Sequence, residues 1–326
     1  NNDFILGITP DESDLFINES KNYLNTFLKY SKMNLKGLGV AMITPFNSNG
    51  TVDFDSIPSI VENITSGQVD YIVIMGTTGE VVCLSNEEKK AVLQAVVKVN
   101  NNKLPLVVGI GGNNTAKVVD EIKETDLRPF GAILSVSPYY NKPSQEGIYH
   151  HYSEIAKASP LPIIVYNVPS RTGTSVDVST FVRLTKNFEN IIGIKDASGD
   201  MLQAQEIIKR CSNKIQLISG DDSLTLPMLL AGAVGTISVL GNALPIPLIK
   251  MIHFVEKGNL NKAYELHYQL LDLINLLFEE GNPVGIKALM ECLDICSKQV
   301  RLPLMSASTH LIEKMERILE DSIYAL

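Results

Sequence analysis

The sequence predicts an α/β protein folded as a (β/α)8 TIM barrel with a C-terminal helical appendage. Eight short, β-branched runs succeed one another between Leu38 and about Ile237, separated by longer amphipathic stretches, which is the order of strands and helices in a parallel sheet. Each run is nearly all apolar instead of alternating, as expected when helices cover one face and a barrel interior the other. Beyond Pro247 the pattern turns wholly helical.

The strands are expected at Gly39–Ile43, Tyr71–Met75, Leu106–Gly109, Gly131–Ser135, Ile163–Tyr166, Ile191–Lys195, Ile215–Ile218 and Gly235–Val239. A helix signal separates most of them. Ser85 and Glu88 form a capping box that opens a helix to about Val99, and Asn114–Thr125 and Gln145–Ala158 carry the helical period. The appendage is expected as helices at Leu260–Phe278, Pro283–Leu293 and Ser308–Ile323. Residues 33–257 thus form the barrel and residues 258–326 the helical domain, a length that suits a barrel of about 250 residues with an addition. The rival fold, an open doubly wound sheet, would place a glycine-rich turn after its first strand, and Gly39 to Phe46 offers none.

Residues 1–32 fall outside this pattern, and Met33 stands where the barrel would begin. They are expected to be an extension, either an upstream remnant or a poorly ordered arm, that activity does not need. They lack a basic region leading into an apolar core, so secretion is not indicated. A net charge of −8 without basic runs argues against a nucleic-acid partner, whose phosphates are met by lysine and arginine. Cys83, Cys211, Cys292 and Cys296 lack the spacing of a disulfide framework or a zinc site. They read as packed thiols in a reducing, cytoplasmic setting, with no metal and no cofactor expected. Ser223 to Ile249 is uncharged and longer than the roughly 20 residues that span a bilayer. Pro227, Gly232, Gly235, Gly241, Pro245 and Pro247 divide it into a short helix, a buried strand and a loop, so no membrane span is expected.

In a barrel of this kind the reactive groups sit at the C-terminal ends of the strands. Gly76-Thr77-Thr78-Gly79-Glu80, Ser137-Pro138-Tyr139-Tyr140-Asn141, Tyr166-Asn167-Val168-Pro169-Ser170-Arg171 and Lys195-Asp196 all lie there and would converge on one mouth. Lys195 closes an apolar run. Desolvation lowers a lysine pKa from about 10.4 and so supplies the free amine that adds to a ketone to give an imine; its plainer reading is an ion pair with Asp196 at the rim. Imine chemistry needs a proton shuttle, for which Tyr166, with Thr77 and Tyr140, is the candidate relay; a core tyrosine is the alternative. The Thr77-Thr78-Gly79 segment and the Arg171 fork can each hold a carboxylate, against a helix-entry turn and a surface arginine. Asp221-Asp222 suits a helix cap better than a metal.

The motifs G-T-T-G-E at 76–80, S-P-Y-Y-N-K-P at 137–143, Y-N-V-P-S-R-T-G at 166–173, G-I-K-D at 193–196 and S-G-D-D at 219–222 together resemble the dihydrodipicolinate synthase and N-acetylneuraminate lyase superfamily, from about Leu35 to the C-terminus. Arg171 directs the likeness to the dihydrodipicolinate synthase branch. The resemblance implies a lyase of the class I aldolase type that condenses pyruvate with L-aspartate 4-semialdehyde to 4-hydroxy-tetrahydrodipicolinate, in lysine and diaminopimelate synthesis. It implies Lys195 as the imine-forming residue, Tyr166 as general acid and base, and Thr77 and Tyr140 as the rest of the relay, with Tyr140 lent across a subunit interface. Thr77 and Thr78 would bind the pyruvate carboxylate and Arg171 that of the semialdehyde, with Gly220 and Ile237 lining the pocket, in a homotetramer of two tight dimers. A retro-aldolase such as N-acetylneuraminate lyase and a catalytically silent paralogue are the alternatives.

One departure has a consequence for regulation. Lysine-inhibited members of the family place a histidine and a glutamate where Lys89 and Lys117 stand here, while Asn113 and Tyr139 match. Two cations repel an ammonium group. Lysine is therefore expected to inhibit weakly or not at all in a steady-state assay, and full inhibition by submillimolar lysine is the contrary outcome.

Overall fold

Parallel strands cannot be joined by tight turns, so each return path is a helix laid over the outside of the sheet. The computed structural model describes residues 33–211 and 215–321. It shows eight parallel strands closed into a barrel in sequence order: β1 Gly37–Ala41, β2 Tyr71–Ile74, β3 Leu106–Gly109, β4 Ala132–Val136, β5 Ile163–Asn167, β6 Ile191–Asp196, β7 Gln216–Ser219 and β8 Gly235–Ser238. Closure comes from β1 against β8, with Gly37 opposite Gly235 and Val40 opposite Ser238. That pairing places β1 two residues earlier than expected. Beyond it the Ile43 N–H donates to the Asn242 side chain at 3.1 Å and not to a neighbouring strand.

The side chains sort into two layers with the period of two that a strand imposes. Tyr71, Val73, Val107, Leu134, Ile164 and Ile237 belong to the barrel interior. Ile72, Ile74, Val108, Ile133, Val165 and Leu217 belong to the layer between sheet and helices. Both layers are buried, hence the continuous apolar runs.

The helix Asn86–Asn100 begins with the expected capping box, and Gln145–Ala158 has the expected limits. The helix expected at Asn114–Thr125 spans Thr115–Glu124, and Ile57–Ser66, Val178–Asn187 and Met201–Arg210 lie in the same outer ring. The uncharged stretch resolves into the helix Thr225–Ala231, strand β8 and the helix Pro245–Glu256. Its last part, expected as a loop, is helical because Pro245 and Pro247 occupy the first turn, where a missing N–H costs nothing. Among the described residues no helix is long and apolar enough to cross a membrane.

The appendage consists of helices Leu260–Glu279, Val284–Cys292 and Thr309–Asp321. Leu270, Leu273, Leu277, Met290, Leu311 and Met315 join the same apolar core as the barrel's outer layer. The expected extension at 1–32 and the expected end of the last helix at Ile323 lie outside the described residues. The four cysteines are free and half-buried, and burial pushes each thiol up.

His151, on the inner side of its helix, is buried with Nδ1 2.9 Å from the Thr115 hydroxyl, while Nε2 has no hydrogen-bond partner among the described residues. Burial pushes the imidazole down from its ordinary 6.5 to about 4. The unfolded chain therefore takes up this proton first on acidification. The stability involved is complete above about pH 6.5 and is lost as the pH falls towards 4, to the extent of about 3 kcal/mol. His151→Gln is expected to gain that amount relative to wild type over this window in chemical denaturation. Buried carboxyls such as Asp222 titrate alike in both proteins and cancel in the comparison; parallel curves would exclude His151 as the group responsible.

Candidate active site

At the C-terminal ends of the strands lies a cavity of about 330 Å³, walled on one side by the barrel mouth and on the other by the appendage. Its lining includes Thr78 after β2, Tyr166 on β5, Arg171 in the loop that follows, Lys195 on β6 and Gly220 after β7; Asn282 comes from the appendage. Five expected site residues therefore meet in one space.

Lys195 is 4% exposed. It stands directly opposite Tyr166 across the β5–β6 ladder, and its Nζ lies 4.5 Å from the centre of that ring. Residues in register on one face of a sheet are neighbours by construction, so the amine and the phenol share one wall. The plainer reading of Lys195, an ion pair with Asp196, fails on geometry. Asp196 points to the other face, where Oδ1 accepts from Asn167 Nδ2 at 3.1 Å and Oδ2 from the Ser198 hydroxyl at 3.1 Å, and burial raises its carboxyl. Among the described residues the Lys195 amine has no ion-pair partner.

The turn after β2 is closed twice, by Gly79 N–H to Gly76 O at 3.1 Å and Glu80 N–H to Thr77 O at 3.0 Å. Thr44 anchors it by donating to Gly79 O at 2.7 Å. Among the described residues nothing accepts from the amides of Thr77 and Thr78. Of the two, Thr78 lines the cavity, and adjacent unpaired amides are donors of the kind that can receive an anion.

Arg171 is held over the same space. The single helical turn Pro169–Thr172 carries it, and its Nη2 donates to the Asn282 carbonyl at 3.1 Å. Asn282 also donates through Nδ2 to the Thr78 hydroxyl at 3.1 Å, while its Oδ1 is buried without a partner among the described residues. One appendage residue thus links the two carboxylate-binding candidates. Sequence reasoning missed Asn282, which falls between the helices expected to end at Phe278 and to begin at Pro283, where no motif points to the barrel mouth.

Thr77, Tyr140 and Ile237 do not line the cavity within one chain. Thr77 is half-buried at the turn, Ile237 packs in the barrel interior with Tyr166, and Tyr140 is 90% exposed with a left-handed backbone. The Asp221 carboxylate caps the following turn, accepting from the Ser223 N–H at 2.9 Å. No cluster of histidine, cysteine or acidic side chains among the described residues can hold a metal. Lys89 and Lys117 line a separate cleft of about 790 Å³, where Lys89 pairs with Glu121 at 3.2 Å.

The sequence profile of the Dihydrodipicolinate synthetase family matches residues 34–322. The chain belongs to that family. It is similar to the 4-hydroxy-tetrahydrodipicolinate synthase of Flavobacterium psychrophilum, with 47% identity over 86% of this chain and 96% of the relative. It is 48% identical to that of Cytophaga hutchinsonii, over 86% and 94%. Among solved structures, the dihydrodipicolinate synthase from Aquifex aeolicus superposes with a TM-score of 0.84 at 37% identity, covering 88% of this chain and 97% of that one. The (β/α)8 barrel with its helical appendage is thus the architecture of a dihydrodipicolinate synthetase family member.

Gly220 packs closely against Lys195 at the cavity wall. A Cβ there would lie 2.8 Å from Ala197 Cβ and 3.0 Å from Lys195 Cε, so any larger residue crowds the amine. Overpacking costs about 1–3 kcal/mol, and Gly220→Ala is expected to slow turnover by roughly 10–100-fold while circular dichroism stays native. Unchanged turnover would show that Lys195 has room to shift.

Proposed function

We propose that this chain condenses pyruvate with L-aspartate 4-semialdehyde to give 4-hydroxy-tetrahydrodipicolinate, through an imine on Lys195, as a step towards diaminopimelate and lysine. The observation that carries this reading is a buried amine in register with a buried phenol, at a mouth that holds unpaired amides on one side and a guanidinium on the other.

The Lys195 amine adds to the pyruvate ketone, and water leaves with a proton supplied by Tyr166. The same phenol's oxygen then takes a proton from the methyl carbon, so the imine becomes an enamine; the enamine carbon bonds to the aldehyde carbon as its C=O π bond opens, and the phenol returns the proton to the resulting alkoxide, which becomes the hydroxyl. The amino group of the semialdehyde replaces Lys195 at the imine carbon, which closes the ring and frees the enzyme. Thr77 and Thr78 seat the pyruvate carboxylate through amides and hydroxyls. Arg171 grips the semialdehyde carboxylate as a two-pronged donor, which favours this substrate over a neutral sugar aldehyde. Gly220 and the backbone of Ile237 shape the pocket.

Tyr140 completes the relay in the neighbouring subunit, a role that suits an aromatic ring 90% exposed in the isolated chain. A homotetramer of two tight dimers working in the cytoplasm goes with this assignment. No metal or organic cofactor enters the chemistry proposed.

Borohydride reduction in the presence of pyruvate is expected to leave a stable adduct on the wild-type chain and none on Lys195→Ala, as read by intact mass. Arg171→Ala should keep the adduct but lose about 100-fold in kcat/KM for the semialdehyde. No adduct on wild type would sink the imine mechanism, and consumption of N-acetylmannosamine in place of the semialdehyde would move the chain to the sialic-acid branch.

A further inference from the structure

The most deeply buried charge in the described structure is outside the catalytic centre. Lys287, on the appendage helix Val284–Cys292, is 0% exposed. Its Nζ donates to Glu80 Oε1 at 2.6 Å and to the Gln299 carbonyl at 2.8 Å, and it lies 4.2 Å from the centre of the Phe46 ring. The other oxygen of Glu80 accepts from the Arg301 N–H at 3.0 Å. Arg301 also lies over the Phe46 ring, 4.5 Å from its centre, and binds Glu88, the Gly50 carbonyl and the Cys83 carbonyl.

Stability alone does not account for such a pair. Taking both ions out of water costs about what their attraction returns, and apolar side chains of similar volume generally serve as well. What an ion pair adds is direction. Glu80 ends the turn that carries Thr77 and Thr78, and its own backbone is left-handed, at φ 51°, which a non-glycine residue adopts only when its surroundings hold it there. Its N–H closes the turn on Thr77 O, while Asn282, five residues before Lys287, holds the Thr78 hydroxyl. The turn is thus gripped at its middle and at its end by one appendage segment.

We propose that Lys287, acting through Glu80, is a positioning residue for the substrate carboxylate, setting the turn that presents Thr78 to the cavity with Thr77 beside it. This rests on the reading of that turn as the pyruvate seat. Lys287 itself touches no substrate.

The test is a comparison of Lys287→Met with the double variant Glu80→Gln/Lys287→Met, by thermal melting and steady-state kinetics. The single variant strands a buried carboxylate and is expected to melt well below wild type. The double variant removes both charges and should recover most of the loss, yet keep a KM for pyruvate about 10-fold raised, with kcat and the KM for the semialdehyde within about 3-fold of wild type, the signature of weakened ground-state binding. Glu80→Asp, which retains the charge but withdraws it by one methylene, should show the same rise and serves if the double variant does not fold. A wild-type pyruvate KM in either folded variant, or a fall in kcat alone, overturns the proposal and leaves the pair a strut. Thr78→Val separates the two readings. If it leaves the pyruvate KM unchanged the seat itself is wrongly assigned, whereas a raised KM there with a normal one in the Glu80 variants removes only the role of Lys287.

Discussion

The active centre depends on an irregularity in the β5–β6 ladder. Ile163 pairs with Ile191, but Ile164 pairs with Gly193, so β6 carries one extra residue, Ile192. Ile163 and Ile191 lie in the layer under the helices, and Ile192 packs towards the interior. Strict alternation from Ile191 would send Lys195 out to the helices and Ile194 into the barrel. The bulge shifts the parity by one, so Ile194 joins the outer layer and Lys195 faces inward opposite Tyr166. The same shift turns Asp196 outward, to the side where regular alternation along β5 already places Asn167, and their hydrogen bond ties the two strand ends together behind the site.

The second constraint comes from beyond the barrel. The loops at the mouth are long and polar, and a barrel alone offers their backbones few partners. The appendage supplies them. Asn282 joins the Thr78 turn to the Arg171 loop, while Arg301 binds carbonyls at Gly50 and Cys83 and the carboxylate of Glu88. The helical addition therefore acts as a lid frame fixed by directional bonds as much as by its apolar contact with the barrel.

A buried carboxyl group performs the same service near β8. Asp222 is buried, and its Oδ2 accepts from the Val239 and Leu240 amides at 2.9 and 2.8 Å, where the chain leaves the ladder and enters a tight turn. Burial raises its carboxyl, and the Ser238 hydroxyl and these two amides oppose that rise. The S-G-D-D motif thus divides its labour: Gly220 leaves room for Lys195, Asp221 caps a turn and Asp222 replaces lost strand bonds.

Much of this was legible in the residues themselves. Continuous apolar runs require strands covered on both faces, and eight of them with helical spacers lead to a closed barrel. Polar residues clustered at the runs' C-terminal ends located the mouth, because an apolar barrel has no other place for them. The limits of β1 and the helix from Pro245 were misjudged because pairing with β8 and the tolerance of proline in a first turn are set by context. Three further features had no local signature: the bulge that turns Lys195 inward, the bridge from Asn282 to Thr78, and the ion pair of Glu80 with Lys287, 207 positions apart. Periodicity and motif reach only as far as neighbours along the chain. Register, facing and long-range pairing arise when strands close and helices dock, so composition and pattern determined which groups this protein has, and the tertiary structure decided which of them meet.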